Sequence, residues 1–379
     1  MYNKQILKEE SKNKPLYSVK MVFEDHWQDF KEKYKDTLRG IEINEVEKML
    51  SCKSEKRGGF MFYCKPCDRY EFMPFGCNSR LCSPCGKRYT DQWASMLADK
   101  LFPKIIHRHL VFGVPEMLWI YFKKDRKLFN VLMDVAYETI KEIFSKMKNN
   151  DLMPGAINVY HPFGRDIKHQ PHNHMIVTEG GFEKNGNFVS IGKYINYDNL
   201  HKKWEYKILE ALKKHIPANV VDEAYRRYPN GFCAYVRKDR IKSHKDLSKY
   251  IGRYVRHPAI ANSRIIAYNK EAVRFYWKDH DGNIHYKIML VYDFMRAIIQ
   301  HVPEKNQKLI RCYGAYSRRK IRIINNIQSG IRKSISSKIG NNRIVYCSLC
   351  KERMEFAGYV KKPPDKNISK IANWITEVS

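Results

Sequence analysis

His172-Asn173-His174 puts two imidazoles two residues apart, and Tyr250 and Tyr254 put two phenols four residues apart. Alternate side chains of a strand share a face, so His172 and His174 form a two-toothed clamp for a divalent ion. Such an ion needs a third protein ligand and open positions for substrate. His161 is the candidate. Ala156 to His161 reads as one strand of a hairpin, Pro162 to Asp166 as its turn region, and His172 to Thr178 as the return strand. Folding that hairpin brings His161 opposite the pair. His169 is closer in sequence but has odd parity relative to His172. Histidines making ordinary hydrogen bonds are the competing reading, and a same-face pair with a third across the hairpin favours metal.

The two tyrosines fall on a helix from about Ser243, its cap, to His257, with Asp246 near the positive end of the dipole and Pro258 as the stop. Residues four apart stack on one helical face. Leu247, Ile251 and Val255 form the adjacent apolar stripe, which puts the phenols at the edge of the buried face. Taken alone, this is an amphipathic core helix with two packing tyrosines. The chemistry shifts that weighting. A tyrosine hydroxyl, with a pKa of about 10, is a weak nucleophile near neutral pH. It becomes effective where an ion binds the non-bridging oxygens of a phosphodiester and stabilises charge on the leaving 3′-oxygen. Attack on DNA would leave a 5′-phosphotyrosine and a free 3′-hydroxyl. The new ester conserves the bond energy, so rejoining needs no nucleotide triphosphate. The sequence has no Walker-type phosphate loop, in agreement with that and against an NTPase motor.

Ten cysteines are present, six of them between Cys52 and Cys85. Cys64-Lys65-Pro66-Cys67 and Cys82-Ser83-Pro84-Cys85, 14 residues apart, have the spacing of two zinc knuckles. The expected structural zinc ligands are therefore Cys64, Cys67, Cys82 and Cys85. Cys347-Ser348-Leu349-Cys350 is a third knuckle that needs two more ligands. Cys52 and Cys77 could supply them, for a second zinc, if the two ends of the chain meet. Cys233 and Cys312 read as ordinary buried thiols.

Around these groups, the 379 residues hold 70 Lys and Arg against 40 Asp and Glu, a formal charge of +30, with 43% apolar residues. The apolar share excludes a wholly disordered chain. The charge surplus calls for a polyanion, and 25 Tyr and 6 Trp suit stacking on unpaired bases. From Lys305 through Lys351 there are 12 Lys and Arg and no acid. Arg253, Arg256, Arg264, Arg318, Arg319 and Lys320 are the candidate DNA contacts. The start of the sequence is polar and no long apolar run occurs, so no membrane partner and a cytoplasmic, nucleoid-associated address are expected.

Irregular alternation of strands, hairpins and helices predicts an α+β fold with antiparallel pairing rather than a doubly wound parallel sheet. Residues 128–148 have clear helical periodicity. Three regions are expected: 1–100, helical and zinc-binding; 101–300, carrying both the histidines and the tyrosine helix; and 301–379, basic, with the last knuckle.

Several stretches together resemble one family. They are the cysteine module, His161-Pro162-Phe163-Gly164-Arg165-Asp166, Gln170-Pro171-His172-Asn173-His174, the tyrosine helix running into His257-Pro258-Ala259-Ile260-Ala261-Asn262-Ser263-Arg264, and Arg311-Cys312-Tyr313-Gly314. They resemble the two-tyrosine HUH transposases of bacterial insertion sequences (family ninety-one), relatives of the eukaryotic helitrons. The resemblance runs from about Cys52 to Cys350 and is most specific from Tyr250 to Arg264. It implies an N-terminal zinc-binding domain and an HUH-nuclease domain whose central antiparallel sheet is flanked by helices. Magnesium or manganese at the histidines, and transposition through single-stranded DNA at transposon ends and target, are also implied. Carried over by position, His172 and His174 are the metal pair and Tyr250 and Tyr254 the nucleophiles; His161 as third ligand rests on hairpin geometry. The family usually has a hydrophobic residue between the histidines. Asn173 takes that place here and faces the other side of the strand, so the clamp is expected to survive and that side to be wetter.

A rolling-circle replication initiator or a relaxase would use the same two clusters, but the zinc module and residues 250–264 favour the transposase. A non-catalytic zinc-ribbon DNA-binding regulator accounts for charge and cysteines and leaves the histidine and tyrosine pairs idle.

Overall fold

The computed structural model describes residues 16–98, 101–102, 105–192, 197–237, 240–241, 259–279, 281–317 and 344–360, excluding the side chains of 93–98 and 197. Tyr250, Tyr254, Arg253, Arg256, Arg318, Arg319 and Lys320 lie outside the described residues. In chain order, the elements begin with α1 (Val19–Lys33), α2 (Gly40–Leu50), the hairpin β1 (Gly59–Cys64) and β2 (Arg69–Pro74), and α3 (Ser83–Ala98). Then come β3 (His107–Gly113), α4 (Glu116–Lys124), α5 (Leu128–Lys148), β4 (Gly155–Phe163), β5 (His169–Thr178), β6 (Gly180–Phe182) and β7 (Phe188–Ser190). The chain continues through α6 (Tyr197–Leu212), α7 (Ala218–Arg227), β8 (Ala234–Val236), β9 (Ile265–Tyr268), β10 (Ala272–Lys278) and β11 (Ile284–Leu290). α8 (Val291–Ile299), β12 (Ile310–Gly314) and β13 (Glu355–Val360) close it.

The central sheet has the order β12-β4-β5-β3-β8, antiparallel throughout, as the α+β reading requires. Strict alternation gives it two unlike faces. Leu110, Phe112, Ala156, Tyr160, Met175 and Val177 point to one side and pack with α5, α6 and α7 through Leu132, Ala136, Ile140, Trp204 and Val221. That burial explains the apolar periodicity of 128–148. The opposite face carries His109, His161, His172 and His174 beside an apolar patch of Ile157, Val159, Ile176 and Tyr316.

Arg311-Cys312-Tyr313-Gly314 locks the sheet edge. Arg311 and the Tyr313 hydroxyl both donate to the Asp134 carboxylate of α5, at 2.7 and 2.6 Å. Gly314 has φ +52°, and a Cβ there would lie 1.9 Å from the Pro154 carbonyl oxygen. Cys312, on this edge strand, and Cys233, just before β8, are exposed rather than buried as expected.

A second core joins distant parts of the sequence. Phe23, Trp27, Phe30 and Met49 of the first two helices pack with Phe275, Phe294 and Met295 of the β9–β11 sheet and α8. The expected boundaries at 100 and 300 therefore cut through packed units. Residues 259–302 pack on the N-terminal helices, β12 completes the central sheet, and β13 pairs with β1. Among the described residues, no helix is long and apolar enough to cross a membrane.

Asn173 is fully buried on the helix side of the sheet, not in the wetter setting expected of it. Its amide donates to Asn158 Oδ1 at 2.5 Å, and the Asn158 amide donates to the Met133 carbonyl of α5 at 3.0 Å. A buried amide that loses its partner costs about 1–3 kcal/mol, whereas removing both partners of a pair can be nearly neutral. Asn158→Val is therefore expected to lower the urea-unfolding free energy by about that amount. Asn158→Val with Asn173→Val is expected to lower it less than the single change. Additive losses would show that the pair is not coupled.

Candidate active site and metal centres

The β4–β5 register sets His161 directly opposite His172, and His174 lies two residues on, on the same face. Ring nitrogens of His161 and His172 (Nδ1 and Nε2) stand 3.2 Å apart, and one nitrogen from each of the three rings fits within 4.8 Å. A neighbouring hydrogen bond fixes the tautomer of one ring. His172 Nδ1 lies 2.7 Å from the Gln170 carbonyl, which accepts its proton and leaves the Nε2 lone pair facing the cluster. His174 Nδ1 lies 3.0 Å from Nε2 of His109 on β3. Burial, then the neighbouring His172, His161 and His109, hold His174 well below the ordinary imidazole range. Burial likewise takes His109 down to about 3. Neutral imidazoles are what a cation requires.

His109 was not singled out from sequence. The signal was available, since His107 and His109 alternate on a strand next to the histidine pair. His169 does fall on the other side, edge-on to Phe163, and burial lowers it to about 4.

Both described ends of the stretch 242–258, which carries the two tyrosines, are anchored. At the start, Ile241 exchanges two backbone hydrogen bonds with His107, and Arg240 makes a paired contact with the buried Glu179 carboxylate at 2.9 and 2.7 Å. At the far end, the Ile260 carbonyl accepts from Ser83 Oγ at 3.0 Å, and the Asn262 side chain accepts from the Val19 amide at 3.2 Å. Ile260 shares a core with Ile167, in the turn of the β4–β5 hairpin. His107 pairs with Thr178 at the opposite end of β5. These anchors bracket the histidines along the strand direction. Arg264 is half-buried with Arg165 of the hairpin turn nearby, and burial followed by that like charge lowers its pKa. Two guanidiniums so placed favour an anion.

The cysteines group differently from expectation. Cys52, Cys77, Cys82 and Cys85 converge in one cluster, and Cys64, Cys67, Cys347 and Cys350 in another, each within 4.8 Å. The expected sets of Cys64, Cys67, Cys82 and Cys85, and of Cys52, Cys77, Cys347 and Cys350, are thus corrected. The cause is the β1–β2 hairpin. Cys64 and Cys67 sit at its turn, and Cys52 and Cys77 flank its open end. Arms of six residues hold the two ends about 20 Å apart.

The first cluster is wholly buried, with Cys52 Sγ 3.6 Å from both Cys82 and Cys85. Cys52 is held far below the usual thiol range by hydrogen bonds from Cys77 and then Cys82. The Cys52 contact pushes Cys77 up to about 12. Four thiols this close cannot all ionise without a counter-charge, which a bound cation would supply.

Comparison with known proteins bears on these sites. The family described as "Transposase zinc-binding domain" matches residues 22–114, and that described as "Putative transposase" matches residues 155–322. The transposase for insertion sequence element IS801 of Pseudomonas savastanoi pv. phaseolicola is 29% identical over 300 residues, 74% of this chain and 72% of the relative. The chain belongs to the IS91 family of transposases. A second relative of this transposase, "Putative transposase y4qJ" of Sinorhizobium fredii (strain NBRC 101917 / NGR234), is 26% identical over 289 residues, 69% of this chain and 71% of the relative. No solved structure matches the chain.

The zinc-binding match contains the whole buried cluster, whose four thiols suit a structural zinc ion. Since bound thiols must be deprotonated, acid expels the ion. Zinc content of the transposase is expected to fall as pH drops from about 7 to about 4, together with the helical signal of the N-terminal module. Cys52→Ser is expected to lower zinc content at neutral pH, whereas Cys233→Ser leaves it unchanged. Equal zinc in all three proteins would contradict the assignment.

Proposed function

We propose that this transposase cuts and rejoins single-stranded DNA at transposon ends and target by tyrosine attack, in rolling-circle fashion. The five-stranded sheet then serves as the central sheet of an HUH nuclease. The observation that carries the reading is the convergence of His161, His172 and His174 on one sheet face, bracketed by the anchored ends of the stretch 242–258.

His161, His172 and His174 would hold the divalent ion. Nitrogen donors suit manganese better than magnesium, which prefers oxygen. When bound, the ion draws charge from the phosphate and from the departing 3′-oxygen. The chain supplies the rest. The Gln170 carbonyl holds His172 in the required tautomer, and His109 Nε2 is placed to accept the Nδ1 proton of His174 and so free its Nε2. Arg165 and Arg264 offer positive charge to the scissile phosphate, and Arg253 and Arg256, with Arg318, Arg319 and Lys320, extend it along the backbone. Tyr250 or Tyr254 is the nucleophile. The phenol gives up its proton to solvent as its oxygen bonds to phosphorus and the bond to the 3′-oxygen breaks, and that oxygen takes a proton from solvent and leaves as a 3′-hydroxyl. The second tyrosine repeats the step on another strand, so one end stays held while the next is cut.

Two sets of variants test the roles. Tyr250→Phe with Tyr254→Phe is expected to abolish nicking of single-stranded oligonucleotides from the element's ends and to leave their low-salt binding intact. His172→Ala with His174→Ala is expected to slow nicking on the order of a thousandfold with the same binding. Normal nicking by either double variant would overturn the corresponding role. Full-strength binding with no nicking by the unaltered chain, for every end sequence and divalent ion, would favour the regulator. His109→Ala is expected to weaken manganese binding roughly 10–100-fold in calorimetry, as losses behind a ligand do. Unchanged affinity would remove His109 from the site.

A further inference from the structure

The second cysteine cluster draws its ligands from the two extremes of the chain, and the match to the zinc-binding domain ends at residue 114, far short of Cys347. Cys64 and Cys350, 286 residues apart in sequence, have sulfurs 3.4 Å apart, and Cys67 and Cys347 have theirs 3.9 Å apart. Zinc–sulfur bonds of about 2.3 Å place the corners of a tetrahedron about 3.8 Å apart. A disulfide would need about 2.05 Å, and all four cysteines are free thiols.

The backbone supports the same conclusion. Each pair sits at the turn of a small hairpin, β1–β2 for Cys64 and Cys67 and residues 345–354 for Cys347 and Cys350. In each turn the residue after the second cysteine is left-handed without being glycine: Asp68 at φ +46° and Lys351 at φ +62°. Such conformations are costly and persist where surrounding bonds enforce them. Two knuckles of like shape face each other across the four sulfurs. Ser348 fastens them further by donating its amide and hydroxyl to Glu71, at 2.8 and 2.7 Å.

Packing alone is too small to hold this lobe. The buried side chains there are Phe62, Cys64, Cys347 and Met354 on one side of the three-stranded sheet and only Met61 and Val360 on the other. A core of that size does not fold a segment without a metal or a cross-link.

We propose that Cys64, Cys67, Cys347 and Cys350 bind a second zinc ion, distinct from that of the Cys52 cluster. It clasps the far end of the chain onto the N-terminal hairpin and so seats β13 as the third strand beside β1. Its surroundings differ from those of the first ion. Cys52, Cys77, Cys82 and Cys85 are all buried, whereas Cys350 is exposed and Cys67 half-buried. The clasp is the site that a chelator reaches first. The clasp also pins one end of the acid-free stretch whose other end is fixed by β12 in the central sheet.

The test uses the full chain, purified with zinc and examined by native mass spectrometry and hydrogen exchange. Two zinc ions per chain are expected. Cys347→Ser with Cys350→Ser should hold one, and amides of 355–360 and 59–64 should lose protection while α1 and α2 keep theirs. Cys350→His, which retains a zinc-binding donor, should restore the second ion. A brief chelator treatment of the unaltered chain should expose Cys347 and Cys350 to iodoacetamide before Cys52 and Cys77. Two ions retained by the double serine variant would overturn the proposal. So would a wild-type chain whose Cys347 and Cys350 alkylate at the same rate with and without chelator. A single ion lost on replacing Cys347 and Cys350 would uphold the clasp and count against the Cys52 site instead.

Discussion

Strand register is the constraint on which the rest depends. Because side chains alternate, the pairing of His161 with His172 decides in one step that three imidazoles share a face. A slip of one residue would send His161 into the helical core and bring Tyr160, which is fully buried there, to the surface. The register is well specified for that reason. Tyr160, Met175 and Val177 need the apolar side under α5 and α6, and the histidines are carried to the other side by the same alternation. The buried Asn158–Asn173 bridge adds direction to a contact that apolar packing alone would leave free to slide.

Like groups drawn together recur among the described residues. Four thiols meet twice, three imidazoles once, and Arg165 approaches Arg264. Each gathering is costly to the isolated chain. A metal ion would relieve the thiols and the imidazoles, and a phosphate would relieve the arginines. The +30 charge is the same statement at the scale of the whole chain. The fold has many positions prepared for an ion or a polyanion, and they cluster along the histidine face and the N-terminal module.

Much of this was legible in the sequence because it is local. Parity placed His172 and His174, hairpin logic placed His161, helical periodicity gave 128–148 to the residue, and knuckle spacing marked the cysteines as ligands. What was not legible is long-range. Spacing alone treats the pairs at Cys64 and Cys82 as equals, and only the length of the hairpin arms shows that they cannot meet. Nothing near Cys347 indicates that its partners are Cys64 and Cys67. An amide where the family usually has a hydrophobic residue suggests a wetter side of the sheet, but Asn158 supplies Asn173 with a partner across the strand pair. His109 and Glu179 act through neighbours on other strands, a signal that no single segment carries.

The account is tested most directly by locating the covalent bond. The transposase would be incubated with a single-stranded oligonucleotide from its element's end and manganese, quenched, digested and mapped by mass spectrometry. The account predicts a nucleotide 5′-phosphate on Tyr250 or Tyr254, formed only with the divalent ion and absent when His172 and His174 are replaced. A phosphate linked to any other residue, or a bond at either tyrosine formed equally well without the histidines, would contradict it.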